Sequence, residues 1–191
     1  MKSYHFAHKN RPFHLAQRNL CFEYAQNLLR RNPEDTDLDD LISQADDILE
    51  LLAEAERHAY FMTQVDEATD KDEDLLSLIR LTLRSVKSMY AVLHHQECLR
   101  DEEGFLRRFM KIDTDKFDFS AQHYHRRFLD LRKGLLFLLG HAEKPYKEHL
   151  QKTAQQMPRL ERERYKHAVK SLRKELHKKY GENTIWVCNH R

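Results

Sequence analysis

The sequence predicts an all-α helical bundle built on a long antiparallel helix hairpin, with C-terminal helices packed against it. Three observations carry this. The 191 residues include only four glycines and four prolines, too few to turn a many-stranded sheet or to build a Gly-rich phosphate loop. The charged fraction is 34% against 40% hydrophobic, which suits amphipathic helices exposing one face to water. Apolar residues also recur with helical periods along most of the chain. One all-α domain over 1–191 is expected, with a basic N-terminal arm over 1–11 and an extended tail over 182–191.

Residues 12–31 read as a first helix on Phe13, Leu15, Leu20, Tyr24, Leu28 and Leu29, stopped by Pro33. Thr36 or Asp37 can cap the next helix through a side-chain oxygen. From Leu38 a heptad runs for nearly four repeats. Leu38, Ala45, Leu52 and Ala59 occupy one seam position, and Leu41, Ile48, Ala55 and Met62 the other. That spacing marks helices packed side by side, and it invites dimerisation along the seam. A polar turn follows at 68–72. Leu75, Ile79, Leu83, Val86, Tyr90 and Leu93 then predict a second long helix reaching about Leu99.

Gly104 reads as a break before a short helix over Phe105–Met110, followed by a polar loop at 113–118 with Ser120 as the next cap. The following helix runs on Tyr124, Phe128, Leu131, Leu135 and Leu138 and is expected to end at Gly140. Pro145 should open a shorter segment. Pro158 should open the last helix and Gly181 close it. Thr184–Cys188 reads as a strand or an apolar strap.

No stretch approaches the roughly 18 apolar residues that span a bilayer, and the N-terminus lacks a secretory h-region. Its first 22 residues are acid-free and basic, as in transit peptides, but poor in serine. Three widely spaced cysteines argue against a disulfide framework and for a reducing, cytoplasmic setting.

The net charge of +2 conceals segregation. Residues 34–74 hold sixteen acids against Arg57 and Lys71, while residues 144–191 hold thirteen Lys or Arg against five acids. In the last helix Arg159, Arg162, Lys166, Lys170, Arg173 and His177 recur at steps of three and four. At 100° per residue they fall within an arc of about 80°. A regular row of cations matches the phosphates of a nucleic-acid backbone, with no strong base preference. Lys2, Lys9 and Arg11 of the arm would add to it, beside rings able to stack on bases. The function expected is therefore non-enzymatic binding of RNA or DNA, with no cofactor. The alternative is a helical adaptor whose basic helix meets an acidic protein partner or the acidic helix of its own chain or a second copy.

Catalytic patterns are sparse. Arg162-Glu163-Arg164-Tyr165-Lys166-His167 resembles the Arg-x4–6-His pattern of the HEPN ribonucleases. That resemblance covers six residues and lacks the Asn or His that usually follows the Arg. It implies an all-α, dimeric, metal-independent enzyme with Arg162 and His167 acting on the RNA phosphodiester. His94 and Cys98, four apart on one helix face, are metal-ligand candidates, with Cys188 and His190 available to complete a zinc set. No Glu-x-x-His occurs for a di-metal bundle, and no Ser or Cys sits in a nucleophile motif.

Overall fold

The computed structural model describes residues 10–31, 37–111 and 121–181, and all the regular elements among them are helices. These are α1 (Arg11–Arg30), α2 (Leu38–Thr63), α3 (Asp70–Phe105), α4 (Ala121–Gln156) and α5 (Arg159–Tyr180), with a π-helical turn at Leu106–Met110. No helix among the described residues is long and apolar enough to cross a membrane.

The two helices of the expected hairpin, α2 and α3, are present and pack on each other. α2 starts at Asp37, whose carboxylate accepts the Asp40 N–H at 2.9 Å and caps two acids placed at the positive end of the helix dipole. Apart from the partly buried Leu38, its two seam rows are buried, with Leu52, Ala55 and Ala59 fully inaccessible. The turn lies at residues 64–69 rather than 68–72. Thr69 presents its N–H and hydroxyl to Asp72 Oδ2, at 3.1 and 3.0 Å, half of a capping box that begins α3 earlier than its apolar series alone implies.

The centre of the bundle is α1, not the hairpin. Fifteen of its twenty residues are buried. It packs against α2 and α5 and meets α4, while α3 packs on α2 and α4. Leu20, Phe22, Leu28 and Leu29 join one cluster with Leu52, Ile79, Phe128, Leu135, Leu172 and Leu176. Each such side chain contributes roughly 1.5–3 kcal/mol on removal from water. The heptad seam therefore finds its partners, α1 and α3, inside the chain. It is not left open for a second copy.

Two expected helix ends are absent. Gly104 lies within α3, which continues into the π-helical turn, and the Glu103–Arg107 pair at 3.0 Å spans it. Lys111, at φ 52°, ends that helical run. Gly140 and Pro145 both lie within α4. Pro145 removes one helical N–H, but it and His141, whose carbonyl loses the partner, are exposed and can turn to water. Leu135 and Leu139 on one side and Tyr146 on the other keep the helix packed across the interruption. A lone glycine costs only about 1 kcal/mol. Pro158 is the N-cap of α5 rather than its first residue, and Gly181 ends it at φ 81°. Ser120, the loop at 113–118 and the tail at 182–191 lie outside the described residues.

At the opposite end, Arg132 of α4 reaches the end of α1. Its Nε donates to the Leu29 carbonyl at 3.0 Å and its Nη2 to the Arg31 carbonyl at 2.8 Å. These carbonyls are orphans of the last helical turn. Arg132→Ala is expected to cost about 1.5–3 kcal/mol in urea denaturation, whereas Lys133→Ala, an exposed neighbour, should change stability by less than about 0.5 kcal/mol.

Candidate functional site

The outer surface of α5 follows from its wheel. Leu172 and Leu176 are buried, and Tyr165 faces inward, its hydroxyl accepting from Asn19 Nδ2 at 3.1 Å. The opposite side is left to water. Arg159, Lys170, Arg173 and His177 are exposed, and their side chains make no hydrogen bond or ion pair among the described residues. Lys166 is exposed and pairs with Glu163 at 3.2 Å. Arg164, Lys174 and Lys178 are exposed as well; the step pattern excluded them because they lie about 40–120° beyond its arc. Their exposure follows from the narrowness of the core-facing strip.

Arg162 departs from the row. Its Nη2 donates to the Gln155 and Met157 carbonyls at 2.9 and 3.1 Å, closing the end of α4, and its Nε is buried. His167 is exposed and faces a groove against α1. Five residues of helix turn through 500°, so the two side chains point about 140° apart. The structure does not bring Arg162 and His167 together as an acid–base pair within one chain.

Arg11 is also engaged, bonding Glu161 at 3.2 Å and tying α1 to α5. Lys2 and Lys9 lie outside the described residues. Self-pairing of basic α5 with acidic α2 is confined, among the described residues, to the last turn, where Lys179 and Tyr180 both donate to Glu50. Those hydrogen bonds hold the Glu50 carboxyl below its ordinary range and the Lys179 ammonium above its own.

His94 and Cys98 share a face of α3, but His94 Nδ1 lies 3.0 Å from Glu97 and its ring meets Tyr90 edge-on at 4.2 Å. No group of three His, Cys, Asp or Glu among the described residues could hold a metal ion. Cys188 and His190 lie outside the described residues. Burial pushes the Cys21 thiol up to about 12, which removes it as a nucleophile near neutral pH.

Two buried polar clusters had no counterpart in the sequence analysis. Arg18, 0% exposed, donates to Asp72 Oδ1 at 2.8 Å, and His149 Nε2 meets the same oxygen at 3.1 Å. Burial alone would raise the Asp72 carboxyl. The His149 hydrogen bond, the Arg18 charge and hydrogen bond, and the Thr69 N–H outweigh it and hold the group well below the usual carboxylate range. One signal for this cluster was present: Thr69-x-x-Asp72 ahead of an apolar run is a capping-box pattern. His14 and His58 form the second cluster, with their Nδ1 atoms 2.8 Å apart. His58 Nε2 stands 3.5 Å from Glu54, and His14 Nε2 is buried without a partner among the described residues. No local motif marks that pair.

The groove facing His167 holds about 350 Å³, within the range of small-ligand clefts. Phe13 and Gln17 of α1 line one side, and Arg164, His167, Ser171 and Glu175 of α5 the other. Phe13 is 47% exposed on a helix that is otherwise nearly enclosed.

Comparison with protein-family models finds no matching family, and comparisons with curated proteins and with solved structures find no match.

Proposed function

We propose that the protein binds the phosphate backbone of nucleic acid through the exposed surface of α5. One observation carries this reading. Arg159, Lys170, Arg173 and His177 stand exposed with no side-chain hydrogen bond or ion pair among the described residues, although the acidic helix α2 belongs to the same bundle. Pairing within the bundle takes up Lys179 and leaves the row free. A row of spaced cations on a rigid helix neutralises successive phosphates and releases their counterions, which gives affinity without base preference. The Arg162–His167 pattern gains no support from the geometry, since Arg162 donates to the Gln155 and Met157 carbonyls.

The test is fluorescence anisotropy of labelled RNA and DNA titrated with protein across a salt series. Wild-type affinity is expected to fall linearly in log–log with salt. The exposed double variant Lys170→Ala/Arg173→Ala should reduce the slope by about 2 and weaken all sequences alike. Absence of binding at low salt would assign the row to an acidic protein surface and overturn the proposal.

A further inference from the structure

We infer that the groove between α1 and α5 seats an unstacked nucleobase on Phe13, so that the preferred ligand is single-stranded. This rests on the phosphate-binding reading of α5 and adds to it a base-binding site on the neighbouring surface. Phe13 is 47% exposed, while other apolar residues of α1, such as Leu15, Leu20 and Phe22, are almost fully buried. It is held from below by edge-on contacts to the His14 and His58 rings, each with centroids 5.7 Å away. An aromatic ring fixed in this way and open to solvent is a stacking platform.

The charges around it suit a strand rather than an apolar peptide. Arg164 and His167 stand exposed at the groove. On the 100° wheel of α5, His167 falls about 20° from Lys174 and Lys178, whereas Arg164 lies about 120° round from Lys170. A base on Phe13 would present its flanking phosphates to Arg164 at the groove and to the exposed Lys174 and Lys178, which lie on the wheel between the groove and the cationic row. Gln17 and Ser171, also at the groove, offer donors and acceptors to a base edge. Glu175, the acid lining the groove, repels phosphate and accepts from an exocyclic amine. A paired base in a duplex reaches Phe13 only by flipping out of the stack, which sets the preference for single strands.

The experiment compares wild type, Phe13→Ala, Phe13→Tyr and Lys170→Ala/Arg173→Ala on labelled single-stranded oligouridylate and oligoadenylate and on duplex RNA of equal length. Single strands should bind wild type more tightly than duplex. Phe13→Ala should lower single-strand affinity roughly tenfold, leaving duplex affinity and the salt slope unchanged, and Phe13→Tyr should restore it. Phe13→Trp provides a direct readout if the alanine variant folds poorly: its added fluorescence over wild type should be quenched by the single strand and not by the duplex. Equal effects of Phe13→Ala on both ligands, or no effect on either, would overturn the base site. If Lys170→Ala/Arg173→Ala still weakens both ligands in that case, the phosphate reading stands without it. If wild type binds neither ligand, the phosphate reading has failed and the base site falls with it.

Discussion

Replacing Arg18 by alanine is expected to destabilise the protein by about 3–5 kcal/mol, the cost of leaving a buried charge without its partner. For a chain of this size that corresponds to a drop in Tm of roughly 10 °C or more. The guanidinium lies inside the bundle on α1, its Asp72 partner starts α3, and His149 reaches the same carboxylate from α4. Asp72 also takes the N–H and hydroxyl of Thr69, so the loss would loosen the α2–α3 turn as well. The double variant Arg18→Leu/Asp72→Asn should recover part of the stability, because no uncompensated charge then stays buried. Urea denaturation followed by circular dichroism measures both. A loss below about 1 kcal/mol for Arg18→Ala would mean that water reaches the pair and that α1 is not enclosed.

Acidification is expected to weaken the protein in two separate windows. Burial, followed by the charge of Arg57, lowers the His14 imidazole. Burial, followed by the charges of His14 and Arg57, pushes His58 down to about 4. A histidine whose folded pKa is depressed binds protons more readily when unfolded. Its contribution is therefore complete above pH 6.5 and drains away as pH falls from 6.5 towards 4. The groups facing the pair are Glu54 and Arg57 of α2, with Cys21 of α1 two turns further on beside the same charges. The loss should be about 2–3 kcal/mol, and the double variant His14→Gln/His58→Gln should flatten it. Asp72 acts lower. Its carboxyl is depressed, so its contribution is present above the usual aspartate range and is lost only as pH falls below about 4. Urea midpoints measured from pH 8 to pH 3 separate the two, and an unchanged midpoint between pH 6.5 and 4.5 would contradict burial of the histidine pair.

The helical class, the long helices α2 and α3 and most of α5 were legible in the sequence, because each depends on local periodicity. The rows from Leu38 to Met62 keep a seam over seven turns, and a buried seam of that length has few other uses. The arc from Arg159 to His177 could likewise be drawn from the 100° step alone. Gly140 and Pro145 misled for the same reason. They are local punctuation, and packing around Leu135, Leu139 and Tyr146 outweighs them.

What local pattern cannot express is how many sides of a helix are covered. α1 is enclosed by its neighbours, so its hydrophobic residues lie all round it and its periodic signal is weak. It looks like an ordinary first helix until α2, α3, α4 and α5 are in place. The same holds for its polar residues. Arg18 and His14 find their partners on α3 and α2, fifty-four and forty-four residues away. Arg162 shows this within the candidate site, for the sequence put it in the cationic row and the end of α4 drew it out. The groove beside Phe13 exists only because α5 lies along α1. The sequence by itself determined the helices and the surface charge of α5, since both follow from spacing along one chain segment. The tertiary structure alone decided which helix is central, which cations remain free and where an aromatic ring stays open to solvent. Those depend on contacts between residues remote in sequence, and no local period records them.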